Sequence, residues 1–196
     1  LGDSITSGYG NLCSNGTSNP HDSDYKDATK AFSYLTAEAL GADHSLISCG
    51  GVGITQGWRS FLAKDLFSKQ SYHRNQTKAY SPVRTPDLIV INLGTNDRSK
   101  SASRAQFKED VKAYIQLVRS TYGTNVKIIW AYNMMGDSYQ TQALEAIAEL
   151  GGESAGLYSI QLSKNTDGGN GHPSTSGHAT ASAELVAFIR NKNLLA

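Results

Sequence analysis

The chain has 196 residues, of which 39% are hydrophobic, and this length predicts one domain over residues 1–196. Its 18 Lys and Arg residues almost balance its 17 Asp and Glu residues, and a formal net charge of +1 lacks the positive surplus needed to bind the phosphate backbone of a nucleic acid. The longest strongly apolar run covers only 88–93, far short of the roughly 20 residues of a membrane-spanning helix, so a membrane is not an expected partner either.

Short apolar runs and amphipathic helices alternate along the chain. Strands are predicted at 44–48, 88–93, 126–131 and, more weakly, 157–160. Helices are predicted at 29–40, 103–122, 140–150 and 174–191. The runs 88–93 and 126–131 are apolar on both faces, as buried parallel strands are. This order predicts a three-layer α/β fold, in which a doubly wound parallel sheet lies between two layers of helices.

Two features of these elements can be stated in more detail. The helix at 103–122 begins with a capping-box pattern, Ser103 and Gln106, and one apolar stripe follows at helical spacing. The stripe contains Phe107, Val111, Tyr114, Ile115 and Val118. At the other end of the sequence, no strand precedes the sharp turn that follows Leu1. We therefore expect the first strand of the sheet to be truncated or to lie upstream of residue 1.

In a doubly wound sheet, a functional site forms at the carboxyl ends of the strands. Ser4, in Gly2-Asp3-Ser4, is a candidate nucleophile because a Ser beside a Gly can expose its hydroxyl in a sharp turn; an ordinary helix N-cap is the alternative. Gly51 lies in a glycine turn whose N–H groups can bind an oxygen anion, and a plain turn is the alternative. A dinucleotide-binding loop is disfavoured, since Gln56 stands where a third Gly is needed.

Two later segments add an amide and an imidazole. Asn96 follows the strand at 88–93, where its side chain can donate a hydrogen bond to an oxyanion or simply form a turn. His172 lies in a Gly-rich segment ahead of the last helix and is the candidate base, because a near-neutral pKa suits proton transfer. His178 falls inside the pattern of the last helix and is interpreted as a packed structural residue.

In this combination the chain resembles the SGNH or GDSL hydrolase superfamily. Its four blocks occur here in order, as Gly2-Asp3-Ser4, the Gly51 turn, Gly94-Thr95-Asn96-Asp97 and His172-Pro173. Within the superfamily, the amino-acid sequence of the segments 2–10, 47–53, 130–136 and 172–178 is most similar to that of carbohydrate esterase family 2. The resemblance implies a flavodoxin-like fold, a secreted esterase that removes acetyl groups from plant polysaccharide such as xylan, and a β-sandwich domain ahead of this one in the parent chain.

Carried over by position, the resemblance makes Ser4 the nucleophile and His172 its base. The Ser4 and Gly51 N–H groups and the Asn96 side chain would hold the oxyanion, with Gly53 as an alternative to Gly51. No metal and no organic cofactor is implied. The superfamily's aspartate would fall at position 169, which is Gly here, so we expect either Asp167 or a backbone carbonyl to hold the imidazole, and we favour the carbonyl.

The expected partner is an acetylated polysaccharide or oligosaccharide. Trp58, Tyr9 and Tyr132 fall near the predicted site segments, and rigid aromatic planes stack well on sugar rings. Trp130, inside a strand, is interpreted as core. Two rival functions stay open at this point. One is a lipase, thioesterase or arylesterase of the same superfamily, and the other is a carbohydrate-binding module in which Ser4 is idle.

The loops and cysteines give further expectations. The polar loops at 11–27 and 68–85 are candidate rims of a cleft. Cys13 and Cys49 lie close in sequence to the predicted site segments. The sequence is compatible both with a disulfide between them and with two separate thiols.

Overall fold

A parallel sheet forms the middle layer of the fold in the computed structural model, which describes residues 1–17, 23–69 and 78–195. Its named strands are β1 (Leu88–Ile91), β2 (Lys127–Tyr132) and β3 (Leu157–Gln161), paired in that order. The register places Ile91 opposite Trp130, and Ala131 opposite Ile160. Three of the four predicted strands are therefore confirmed, with ends that differ by one or two residues.

Helices cover both faces of the sheet. The α-helices in the described ranges are α1 (Phe32–Leu40), α2 (Ala63–Phe67), α3 (Thr95–Ser99), α4 (Arg104–Tyr122), α5 (Gln140–Glu149) and α6 (Thr175–Asn191). Short 3₁₀ helices lie at Ser23–Tyr25, Ala28–Lys30, Gly152–Ala155 and Gly169–Gly171. Across these same ranges, no helix has both the length and the apolar character needed to cross a membrane.

The segment Leu1–Gly2 holds the place of a strand beside β1. Gly2 forms parallel bridges with both Ser48 and Asn92, which extends the sheet beyond β1 in the order expected of a flavodoxin-like fold. The predicted strand at 44–48 is wrong in extent, because only Ser48 pairs. The neighbouring segment Leu1–Gly2 has only two residues with which a strand could form hydrogen bonds. Residues 43–46 therefore lie outside the sheet and are exposed to solvent.

Alternate residues of the central strand enter two separate cores. Ile128 and Trp130 face the side of α4 and α5, whereas Ile129 and Ala131 face the side of α1 and α6. All four side chains are buried. The predicted burial of both strand faces, and of Trp130 within the core, is confirmed.

The predicted helices are largely confirmed, and their ends show local corrections. Ser103 caps α4 by accepting from the Gln106 N–H at 3.3 Å, but the Gln106 side chain bonds to Asp110, so half of the capping box forms. The five residues of the predicted stripe are all buried. The helix predicted at 29–40 is divided at Ala31, whose backbone is extended. Helices α2 and α3 were not predicted, because five residues are too few to show an apolar period.

Cys13 and Cys49 are free thiols, each half-buried, so the disulfide alternative is not formed. The Cys13 thiol donates to the carbonyl of Gly10 at 3.4 Å. The two candidate rim loops are described only in part, since 18–22 and 70–77 lie outside the described residues.

Candidate active site

The carboxyl ends of the strands bring together the predicted nucleophile and the predicted base. Ser4 Oγ lies 2.8 Å from His172 Nε2, although the two residues are 168 positions apart in the chain. Ser4 is 9% exposed, so its hydroxyl is shielded but not sealed from solvent. A hydroxyl donates to Nε2 only when the imidazole proton is on Nδ1. In this tautomer the pair has the geometry of a nucleophile with its general base.

The sharp turn at Ser4 follows from its neighbours. The Asp3 carboxylate accepts from the Ile5 N–H at 2.9 Å, a local bond that closes the turn around Ser4. Gly2 is required just before it, since a Cβ there would come within 1.9 Å of Thr6 Oγ1. A short strand end and a tight turn therefore direct Ser4 toward the imidazole.

The second imidazole nitrogen faces a main-chain carbonyl. His172 Nδ1 lies 3.3 Å from the carbonyl oxygen of Asn170, whose backbone is left-handed (φ 54°, ψ 38°), a conformation that Asn tolerates. The structure does not bring Asp167, one of the two predicted partners, to the ring. Its carboxylate instead accepts from Asn165 Nδ2 at 2.7 Å, because Asn165 lies within reach on the same exposed loop.

The loop that carries His172 is held against the loop that follows Ser4. The Gly169 N–H donates to the Gly10 carbonyl at 2.7 Å, and a Cβ on Gly10 would come within 2.8 Å of the Gly169 oxygen. The Tyr9 ring packs on the imidazole with centroids 4.6 Å apart, and its hydroxyl hydrogen-bonds the Asn170 side chain. Tyr9, predicted as a sugar contact, thus lies at the site and supports the imidazole.

Two backbone N–H groups, of Ser4 and of Gly51 in the glycine turn, have no protein acceptor among the described residues. Gly50 lies against Ser4, since a Cβ on Gly50 would be 3.6 Å from Ser4 Cβ. Gly53 is next to a different group: a Cβ there would be 3.0 Å from Asp97 Oδ2. Of the two glycines, Gly51 is therefore the one whose neighbour in sequence touches Ser4.

Asn96 lies at the same strand edge, with both hydrogens of its side-chain amide engaged. Nδ2 donates to Asp3 Oδ2 at 3.0 Å and to the Val52 carbonyl at 2.9 Å. The residue is buried at the start of α3. The amide thus connects the Ser4 turn to the glycine turn. To reach an oxyanion, it must share or exchange one of these bonds.

Two buried carboxylates support the site, and the sequence analysis assigned a role to neither. Burial raises the pKa of Asp3 to about 7. Burial also raises the pKa of Asp97, against the backbone N–H groups that lower it. These N–H groups, 2.7 to 3.0 Å away, belong to Ile54, Thr55 and Gln56. Both residues belong to the sequence motifs named above, and this position was the one indication of their role that the sequence offered. The backbone N–H groups that bind them cannot be recognised in a sequence.

The two histidines near the site have different environments. Burial lowers the pKa of His172, against carbonyl contacts that raise it. His178 is fully buried, accepts from the Phe32 N–H through Nδ1 at 3.1 Å and stacks on the Phe32 ring. Burial lowers its pKa to about 4. The interpretation of His178 as a packed structural residue is confirmed.

The two remaining aromatic candidates, Trp58 and Tyr132, differ in their exposure to solvent. Trp58 is 66% exposed and adjoins the glycine turn, where its backbone N–H donates to the Gly51 carbonyl at 2.7 Å. Tyr132 is partly buried against the core on the side of α4 and α5, and its predicted contact with the sugar stays a prediction. In the part of the chain that the structure describes, no three His, Cys, Asp or Glu side chains are grouped so that they could hold a metal ion.

Comparison with known proteins adds a family match. Residues 1–180 match the GDSL-like lipase/acylhydrolase family. The cellulase/esterase CelE of Acetivibrio thermocellus is 30% identical over 98% of this chain and 25% of that protein. The chain therefore corresponds to one part of a much longer relative.

Two solved structures share the fold. The acetyl xylan esterase Est2A from the rumen bacterium Butyrivibrio proteoclasticus has a TM-score of 0.84 and 26% identity, covering 98% of this chain and 62% of that one. A family two carbohydrate esterase from Clostridium thermocellum, in complex with cellohexaose, has a TM-score of 0.81 and 26% identity, covering 100% of this chain and 64% of that one. The chain spans less than two thirds of each.

We expect both imidazoles to titrate below the ordinary value of 6.5 when the ring protons are followed by NMR. Burial penalises the charged ring, so each stays neutral to lower pH, His178 until about pH 4. His172→Asn and His178→Asn assign the two signals. A His172 midpoint at or above pH 7 would contradict the buried environment described above.

Proposed function

Because the chain belongs to the GDSL-like lipase/acylhydrolase family, we propose that it is a serine esterase that removes acetyl groups from plant polysaccharide such as xylan. The observation that carries the proposal is the 2.8 Å contact between Ser4 Oγ and His172 Nε2. The acetyl xylan esterase and the cellohexaose-bound esterase of similar fold support a carbohydrate ester as the substrate. We further propose that residues 1–196 act as one domain, outside the cell, where plant polysaccharide is found.

The proposed reaction begins with attack of Ser4 Oγ on the carbonyl carbon of the acetyl ester. The hydroxyl proton passes to His172 Nε2, and the carbonyl oxygen becomes an oxyanion. The N–H groups of Ser4 and Gly51 receive this oxygen, supported by the absence of any protein acceptor for either group among the described residues. A single such donor contributes about 3 kcal/mol to the transition state.

The intermediate then collapses, and the bond to the sugar oxygen breaks. His172 gives its proton to that oxygen, which leaves as a sugar hydroxyl, and Ser4 remains acetylated. Water next attacks the acetyl group and passes a proton to Nε2. The bond to Ser4 Oγ then breaks, His172 returns this proton to Oγ, and acetate leaves. Throughout, the Asn170 carbonyl accepts from Nδ1, which keeps the ring in the productive tautomer and stabilises the imidazolium.

In this proposal, Asn96 also donates a hydrogen bond to the oxyanion. Its amide binds Asp3 and Val52 in the resting enzyme, and these residues are the sequence neighbours of Ser4 and Gly51. When the oxyanion forms, one amide hydrogen turns from these acceptors to the new charge, which is the stronger acceptor. Asn96 thereby joins the oxyanion hole as the third donor.

We expect Ser4→Ala to lower acetate release from acetylated xylan by on the order of 10⁶-fold, the scale seen when a nucleophilic Ser is removed. Ser120→Ala is the matched control, since Ser120 is exposed on α4 and bonds to its own helix. The wild-type enzyme should hydrolyse p-nitrophenyl acetate much faster than esters of longer acids. Full activity in Ser4→Ala would exclude the mechanism. Absence of esterase activity in the wild-type protein as well as in Ser4→Ala would favour a binding module. Faster cleavage of long-chain esters by the wild-type protein would favour a lipase.

We expect Asp167→Ala to keep most of its esterase activity, because the Asn170 carbonyl already contacts Nδ1 and the Asp167 carboxylate bonds to Asn165. Disabling a triad aspartate costs about 10⁴-fold in kcat. Steady-state kinetics on p-nitrophenyl acetate distinguish the two cases, with Asp43→Ala as an exposed control. A loss approaching that size would make Asp167 the partner of the base.

A further inference from the structure

An exposed indole adjoins the glycine turn of the proposed site. Trp58 is 66% exposed, yet its orientation is fixed at two points. Its backbone N–H donates to the Gly51 carbonyl at 2.7 Å, and its indole N–H donates to Ser99 Oγ at 3.1 Å. A large apolar plane that is held in place and left open to solvent is suited to stacking on a sugar ring.

One cation lies over this plane, and a second lies against the glycine turn. Lys100 Nζ lies 4.1 Å from the centroid of the Trp58 ring, within the range of a cation–π contact. The Arg59 side chain runs along the glycine turn, and its Nε donates to the Gly50 carbonyl at 2.7 Å. Trp58 and Arg59 thus adjoin the glycine turn, and the Lys100 ammonium lies against the indole.

The charges of these two side chains are not neutralised by the protein. In the described ranges, neither Lys100 nor Arg59 lies within ion-pair distance of a carboxylate. Other cations of the same region differ: Arg98 and Arg104 both pair with Asp137, at 2.9 and 3.9 Å. The mouth of the site therefore carries an uncompensated positive charge, although the chain as a whole is nearly neutral.

We propose that the surface formed by Trp58, Arg59 and Lys100 binds a sugar carboxylate, so that the preferred acetylated polysaccharide carries uronic acid units. The sugar ring stacks on the indole, and its carboxylate is attracted by the two cations. Gly50 lies against Ser4, and Gly51 lies against Trp58 and Arg59, so in this proposal the acidic unit binds close to the acetylated one. The proposal rests on the esterase function above and adds the chemical class of its substrate.

The test measures binding, so that it is independent of catalysis. Titration calorimetry compares glucuronosyl-xylotetraose with plain xylotetraose. We expect the wild-type protein to bind the acidic oligosaccharide about fivefold more tightly, since an exposed ion pair contributes up to about 1 kcal/mol. The tighter binding of the acidic oligosaccharide should disappear in about 1 M salt, because the Debye length there is only about 3 Å and the attraction between exposed charges is screened.

Variants locate the effect. Lys100→Met with Arg59→Met removes both charges and should give equal affinity for the two oligosaccharides. Arg190→Met with Lys192→Met makes the same charge change at the far end of α6 and should keep the preference. If the first variant does not fold, the salt dependence of the wild-type protein decides.

Equal affinity of the wild-type protein for both oligosaccharides, or a preference that survives removal of both charges or high salt, would overturn the proposal. Acetate release from acetylated xylan is measured in parallel. Selective binding without acetate release would refute the esterase and leave the carboxylate site standing, whereas acetate release without selective binding would do the reverse.

Discussion

The hydrogen bond between Ser4 Oγ and His172 Nε2 joins the first turn of the chain to the loop ahead of the last helix. Its contribution to stability is small, since one hydrogen bond adds about 1 kcal/mol net. Its importance lies in what it constrains. Three local features hold its two ends in place: a left-handed Asn170, a close approach of Gly10 to Gly169, and a tight turn after Gly2.

The carboxylates beneath the site show how the protein keeps such a contact in place. A buried charge is costly unless hydrogen bonds compensate for its lost water. Asp97 receives three backbone N–H groups, and in doing so it fixes the segment that follows the glycine turn. Asp3 receives an N–H of its own turn and the amide of Asn96. The two carboxylates thus connect three strand ends that are far apart in the sequence.

The sequence predicted the parts of the molecule that are encoded by periodicity or by motifs. The sheet, the long helices and the meeting of Ser4 with His172 belong to this group, because apolar period and strand-end position are both visible in a sequence. A backbone carbonyl was the favoured partner of the imidazole, but neither its identity as that of Asn170 nor the donors to Asp97 were predictable, because every residue has a carbonyl and all but Pro have an N–H. The core against which Tyr132 packs was not predictable either, because nearness in sequence to a strand end does not decide which face of the strand a ring occupies.

Covalent labelling with diethyl p-nitrophenyl phosphate tests most directly whether Ser4 is a nucleophile activated by His172. The account predicts that the wild-type protein gains one diethylphosphoryl group, that peptide mass spectrometry locates it on Ser4, and that His172→Ala is labelled far more slowly. Labelling of another residue, or an unchanged rate in His172→Ala, would contradict it.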